Sequence, residues 1–271
     1  MITSSIVLYN TDMQQLKTII SCVFSSPIDL LFLIDNSPRN ELQYVEGNFS
    51  DKIIYIYNGK NIGYGAGHNI ALRKAIEINA DYHIVLNPDI IFEPESISDM
   101  LIYLEENKDV GQILPKVLYP NGDLQYLCKL VPTPFDLIFK RFLPNQITSR
   151  RMKRFQLQFT DYNKIMNVPY LSGCFMFFRV SSLKKVGLFD ERFFMYPEDI
   201  DITRRMHREF RTIYYPRVTI IHAHAADSYK SKKMLWIHIK NMIKYFNKWG
   251  WVFDKERKTI NKKVLKELEY K

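Results

Sequence analysis

The stretch YHIVLNPDIIFEP, residues 82–94, changes character in its middle. Its first half, His83-Ile84-Val85-Leu86, is a short run of the kind that fills a buried strand, and it stops at Asn87-Pro88-Asp89. A short apolar run bounded by turn residues reads as a strand, so the amide, the proline and the carboxylate fall just past its carboxyl end. Three earlier runs are built the same way. Ile6-Val7-Leu8-Tyr9 stops at Asn10, residues 30–34 stop at Asp35-Asn36-Ser37, and residues 53–57 stop at Asn58. Helical patterns lie between and after them at 12–24, 68–79 and 95–107, the last opened by Pro94. Short apolar strands alternating with helices predict an α/β fold, a mostly parallel, doubly wound sheet flanked by helices. In such a sheet the carboxyl ends of the strands share one edge, and ligands bind in the crevice there. Each polar cluster taken singly also suits turn capping, but four of them converge on one side.

The rest of the chain is read outward from that frame. YPNGD (119–123) predicts a hairpin turn. Residues 132–168 carry Pro132, Pro134 and Pro144, with six basic and no acidic residues between Lys140 and Arg154, and read as a mobile or surface-associated connection. YLSGCFMFFRV (170–180) reads as a strand or strand pair, 198–209 as a helix and 213–222 as a strand. From residue 230 a mostly helical basic tail carries Trp236, Trp249 and Trp251.

Composition narrows the function classes. The chain has 271 residues, enough for one large α/β domain, and no window reaches the length of a membrane span. Cys22, Cys128 and Cys174 match no metal or redox spacing, and the first ten residues lack the pattern of a secretory signal, so a reduced, cytoplasmic protein is expected. The net charge of +9 is localised. Residues 230–271 hold 13 Lys plus Arg against 4 Asp plus Glu, while the first 229 residues hold 25 of each. That predicts an anionic partner for the tail, a membrane surface rather than nucleic acid, since no nucleic-acid motif accompanies the charge. Leu235, Ile239, Met242, Ile243 and Phe246 recur at helical spacing among the lysines, as in an interfacial helix. The same stripe also suits packing on the domain.

Next to the strand ends lies NGKNIGYGAGHNIAL (58–72), where Gly63, Gly65 and Gly67 lead into a helix. Glycines allow close backbone approach and a helix N-terminus favours anions, but the motif follows the third strand, which is misplaced for a dinucleotide fingerprint. With Tyr9-Asn10, Asp35-Asn36, NIGYGAGHN, Asn87-Pro88-Asp89 and GLFDERFFMYPEDIDITRRM (187–206) in that order, residues 3–228 resemble the family-2 glycosyltransferases of GT-A fold, and most of all their bacterial rhamnosyltransferase-like branch.

The resemblance implies a catalytic domain at 1–229, with a nucleotide-sugar-binding half at 1–115 and an acceptor-side half at 116–229, and a basic helical extension at 230–271. It implies that Asp35 accepts a hydrogen bond from a pyrimidine ring and that Tyr9, Asn10 and Thr11 flank the base. Asn36, Asn58, Asn69 and the three glycines would border the nucleotide and ribose. Asp89, with His222 or His224, would hold Mg²⁺ or Mn²⁺ on the diphosphate. Asn87 and Pro88 would also face the donor, although the family more often has a carboxylate where Asn87 stands. Asp199 would be the base that deprotonates the acceptor, Glu198 would position that acceptor, and Gly173 would leave room for it. Arg204 or Arg205 would reach the diphosphate, while Asp201 would pair with one of them. The implied donor is a dTDP- or UDP-sugar and the implied acceptor a lipid-linked saccharide; homodimerisation stays open. A non-catalytic nucleotide-sugar or membrane-surface binding protein on the same scaffold is the competing reading. A nucleotidyltransferase would need a basic glycine-rich loop at strand one, which YNTDMQQ lacks.

Overall fold

The structure is a computed structural model and describes residues 1–45, 50–139, 143, 145–223 and 232–270. Four parallel strands, β1 (Ile2–Leu8), β2 (Leu30–Asp35), β3 (Ile53–Tyr57) and β4 (Tyr82–Leu86), stand in the order β3-β2-β1-β4. They are joined by α1 (Met13–Phe24) and α2 (Tyr64–Glu77). α1 is started by Asp12, whose side chain accepts from Gln15 N. His83 is tolerated in the central strand because both its ring nitrogens are bonded, Nδ1 to Thr3 Oγ1 and Nε2 to Ser5 Oγ, each at 2.8 Å. Burial pushes its pKa down to about 3, so it stays neutral.

After β4 come β5 (Ile90–Ile91), α3 (Glu95–Glu106) and β6 (Val110–Leu118). The predicted hairpin turn forms: Tyr119 N donates to Asp123 O and Gly122 N to Tyr119 O. It leads through β7 (Cys128–Lys129), α4 (Pro134–Leu137), α5 (Asn145–Phe155), β8 (Met166–Asn167) and β9 (Tyr170–Leu171) to β10 (Phe175–Arg179). β10 is antiparallel to both β4 and β6. This reversal positions the site, because it brings the beginning of β10 to the edge where β1, β2 and β4 end. Phe175 faces Leu86 across the ladder, and Asn87 N donates to Cys174 O at 2.9 Å. α6 (Val180–Val186), α7 (Glu198–Glu209) and β11 (Arg211–His222) follow. β11 runs parallel to β6 and pairs His222 with Ile90, closing the same edge from the far side.

Two expectations change. The described part of 132–168 is a packed layer instead of a surface-associated connection. Leu157, Tyr162, Met166 and Val168 are buried in the main core, and the Tyr162 hydroxyl lies 2.6 Å from Gln156 O and 2.8 Å from Cys128 O. The tail also packs. Helix α8 (Lys232–Trp249) buries Met242, Tyr245 and Phe246 in that core, and α9 (Lys255–Glu267) buries Val264 and Leu265. Of the apolar stripe, Met242 and Phe246 pack on the domain, Leu235 and Ile239 are half-buried and Ile243 is exposed.

Candidate active site

At the convergent edge, one chain of contacts joins residues from five segments. Asp89 Oδ1 lies 3.3 Å from His222 Nε2, and the Asn87 side-chain amide is also 3.3 Å from that nitrogen. On its other side, the Asn87 amide meets the Tyr64 hydroxyl at 3.0 Å. That hydroxyl donates to Gly173 O at 2.7 Å, and Gly173 N donates to Asp199 Oδ2 at 3.0 Å. A phenol has one proton, and a carbonyl oxygen can only accept. Gly173 O takes the Tyr64 proton. The Asn87 amide stands with Oδ1 on the Tyr64 side and Nδ2 towards His222 Nε2. Gln125 fixes the histidine in turn. Its Nε2 donates to His222 O at 2.8 Å, so its Oε1 faces His222 Nδ1 at 3.0 Å and holds the proton on that nitrogen. Burial alone would lower the His222 pKa, but the neighbouring Asp89 carboxylate and Cys174 raise it to about 10.

Donors for a hard divalent cation are the Asp89 carboxylate and, once a cation displaces its Nε2 proton, the His222 imidazole. Among the described residues no group of three His, Cys, Asp or Glu side chains is close enough to hold a metal by itself. Phosphate oxygens and water would complete the shell, as is usual for Mg²⁺. His224 lies outside the described residues.

The second half of the site is the start of α7. Glu198 is 4% exposed and its Oε2 has no hydrogen-bond partner. Asp199 accepts from Gly173 N and, through Oδ1, from Ile200 N at 2.7 Å. Burial, then the Asp199 charge, raises Glu198 to about 8. Burial raises Asp199 to about 6, against the opposing pull of Lys129 and the backbone N–H groups. Two backbone N–H groups stabilise the Asp199 carboxylate and nothing bonds Glu198 Oε2, so Asp199 is the member of the pair that ionises first. Tyr196, two residues before Glu198, has φ +91°, a strained value for a side-chain-bearing residue near a functional pair. The strain is held by packing. Helix α8 covers the loop, with Asn241 donating to Met195 O and accepting from Phe194 N, and the His238 ring 5.1 Å from that of Tyr196.

A carboxyl held protonated by burial lowers stability as pH rises. Between the ordinary carboxylate pKa and about 8 the folded chain keeps a proton on Glu198 that the unfolded chain has lost, so stability falls through that window. Glu198→Gln removes this dependence. Its Tm should exceed the parent's by about 2–5 °C at pH 8 and by less at pH 5; equal gaps at both pH values in a thermal melt would contradict the burial argument.

Other expected donor residues fall into two groups. Tyr9 and Asn10 are exposed at the lip of the crevice, with Thr11 half-buried beside them. Asp35 is fully buried, accepting from Ser37 N at 2.8 Å and Tyr55 Oη at 2.6 Å. Pro88 sits half-buried between Asn87 and Asp89. Asn36 and Asn58 stitch strand ends together, Asn58 Nδ2 donating to Asn36 Oδ1 and Asn36 Nδ2 to Gly63 O. The glycines serve close packing. Gly63 has φ +97°, and a Cβ there would lie 2.5 Å from Phe194 O. Gly65 abuts Phe189 and the Cβ of Glu198, and Gly67 packs α2 onto Val7.

Three expected donor residues are engaged within the protein. Asn69 is buried and clamps the following loop, donating to Phe189 O and Glu191 and accepting from Phe189 N. Arg204 is 1% exposed and forked on Asp254, with Glu256 beside it. Arg205 pairs with Asp201 at 2.8 Å and donates to the carbonyls of Val186, Gly187 and Leu188. Neither arginine is free to turn to a diphosphate. Tyr64, Gln125 and Lys129 were not singled out from the sequence. Tyr64 lies inside the glycine motif, but only the fold shows where its hydroxyl ends.

Comparisons with known proteins accord with this geometry. Residues 5–187 match Glycosyl transferase family 2. The chain is 25% identical over 222 residues to N-acetylglucosaminyl-diphospho-decaprenol L-rhamnosyltransferase of Mycobacterium tuberculosis, covering 77% of this chain and 70% of the relative. It is 29% identical over 196 residues to rhamnosyltransferase WbbL of Escherichia coli, covering 69% and 71%. Among solved structures it resembles GalNAc-T7 with UDP, GalNAc and Mn²⁺, at TM-score 0.64 and 13% identity over 92% of this chain and 48% of that one. It also resembles the mannosyltransferase PcManGT of Pyrobaculum calidifontis with GDP-Man and Mn²⁺, at TM-score 0.58 and 13% identity over 91% and 63%. This chain thus spans about half of the first structure's length and under two thirds of the second's. At such identities the structures speak for the fold alone. The family match covers more than half of the chain, and on it the chain belongs to glycosyl transferase family 2, as a glycosyltransferase.

Proposed function

We propose that the chain moves a sugar, with inversion, from a nucleotide-sugar donor to a lipid-linked saccharide in the synthesis of a bacterial surface polysaccharide. The donor is a dTDP- or UDP-sugar, with dTDP-rhamnose the first to test. The observation that carries this reading is the buried Glu198–Asp199 pair, joined through Gly173 and Tyr64 to Asn87, His222 and Asp89. The named activities of the two rhamnosyltransferase relatives support the sugar, and the decaprenol in one name supports the lipid-linked acceptor.

Asp199, ionised at neutral pH, takes the proton of the acceptor hydroxyl as its oxygen attacks the anomeric carbon. The bond from that carbon to the donor's diphosphate oxygen breaks, its electron pair leaves with the nucleoside diphosphate, and the proton rests on Asp199. Glu198, kept protonated, presents a hydrogen-bond donor to the incoming saccharide, which its unpartnered Oε2 can reach without losing an existing bond. Asp89 and His222, with Asn87 beside them, would hold Mg²⁺ or Mn²⁺ at the diphosphate end. A divalent cation there would stabilise the leaving diphosphate as a Lewis acid. Residues 1–229 form the catalytic domain, and residues 230–271 buttress it and face the cytoplasmic side of the membrane.

The test is nucleoside diphosphate release from dTDP-rhamnose, UDP-glucose and UDP-galactose with a lipid-linked acceptor, in Mg²⁺, Mn²⁺ or chelator. Release from one donor, abolished by chelator, is the expected result. No release from any donor with acceptor present would overturn the assignment, and release that survives chelator would remove the cation from it.

A further inference from the structure

Part of the tail's charge is paired within the protein, Lys248 with Asp190 and Asp201 among others, and the structure offers a surface for the rest. Between α8 and α9 the chain exposes three apolar side chains in a row: Trp251 at 37%, Val252 at 67% and Phe253 at 90%. Phe253 stands immediately before the helix cap Asp254, where an apolar residue commonly packs against the fourth helical position. Here that position is Lys258, so the fold gives Phe253 nothing to bury against. Lys258, Lys262 and Lys266 follow at intervals of four, all exposed, and so form one stripe along α9. They line a groove shared with Phe139, itself 53% exposed, and Arg154; among the described residues no acidic side chain lines it.

The loop is rigidly set. Arg257 is buried and donates to Pro132 O, Trp251 O and Val252 O, and the Trp251 indole donates to Asn247. An exposed apolar tip held in place beside a row of cations is the pairing that an anionic bilayer satisfies, with the side chains entering the acyl boundary and the lysines meeting phosphate. No described helix is long and apolar enough to cross a membrane.

We infer that the Trp251–Phe253 loop and the Lys258–Lys262–Lys266 stripe dock the protein on an anionic phospholipid surface. This deepens the membrane-facing role proposed above for residues 230–271. The loop is tied to the catalytic helix: Asp254 grips Arg204, which lies five residues along α7 from Asp199, about 7.5 Å of helix rise. A bilayer bound there would hold a lipid-linked acceptor close to the base.

The experiment is sedimentation of the full chain with vesicles of pure phosphatidylcholine or of phosphatidylcholine with about one third phosphatidylglycerol, without donor or acceptor. It is therefore independent of whether sugar transfer is ever observed. Binding to the anionic vesicles is expected, weakened at least tenfold by Phe253→Glu, and weakened comparably by raising salt or by Lys258→Glu with Lys262→Glu. Phe253 is too exposed for its replacement to threaten folding, and an unchanged Tm would show this. No binding to anionic vesicles would overturn the inference, as would binding that Phe253→Glu leaves intact. Binding only when a polyprenyl phosphate is added would overturn it in favour of the acceptor lipid itself.

Discussion

Asp199→Asn is expected to lower turnover by about a thousandfold while leaving the donor Kd unchanged, the loss that removing a general base commonly brings. The substitution keeps the shape of the side chain, and its amide oxygen can still accept from Gly173 N. What it removes is the group that takes the acceptor's proton. Asp199 is well placed for that task because burial raises it only to about 6, so it is ionised at neutral pH yet more basic than a surface aspartate. Transfer by the parent should rise with pH through about 6 as Asp199 ionises, and the Asn variant should lack that limb. Single-turnover transfer and donor binding measured side by side decide the matter. A variant that keeps full turnover would mean that Asp199 is not the base.

The other large effect falls on stability. Arg204 is fully buried; its guanidinium donates twice to Asp254 at 2.8 Å, donates to Glu256, and lies 4.1 Å from the centroid of the Trp249 ring. Burial alone would raise the Asp254 carboxyl, but Arg204 beside it holds it below the ordinary range. Arg204→Ala would strand that carboxylate in the interior at a cost of about 3–5 kcal/mol, and should lower the Tm by about 10 °C. Arg204→Lys should rescue little, since an ammonium cannot reproduce the two-pronged contact. The folded fraction should bind donor normally. Weakened donor binding at an unchanged Tm would instead return Arg204 to the diphosphate, where the family resemblance had placed it.

The contrast between Asp199 and Arg204 shows what kind of information each level holds. Both stand in one motif, PEDIDITRR. Asp199 and Glu198 lie at the helix start, where sequence position already points them at the crevice edge. Arg204 lies more than a turn further on, and its direction depends on Asp254, fifty residues away in sequence. The asparagines divide in the same way. Asn87 follows a strand in a parallel sheet and so reaches the ligand edge by topology. Asn69 lies within a helix, and only the packing of the 189–191 loop against that helix gives it a partner.

By itself, the sequence determined the alternation of strand and helix, the order of polar clusters at the strand ends, and so the edge at which the chemistry gathers. These follow from local periodicity and from the geometry that parallel strands impose. Only the tertiary structure decided which polar side chains face that edge and which are consumed as fastenings. It also showed the glycine loop to be a packing contact, and Met242 and Phe246 of α8 to be buried in the core while Phe253 stays bare. Those outcomes depend on which surfaces meet across long sequence separations. A buried arginine or asparagine goes where its hydrogen bonds can be satisfied, and the partner that satisfies them is not written beside it in the chain.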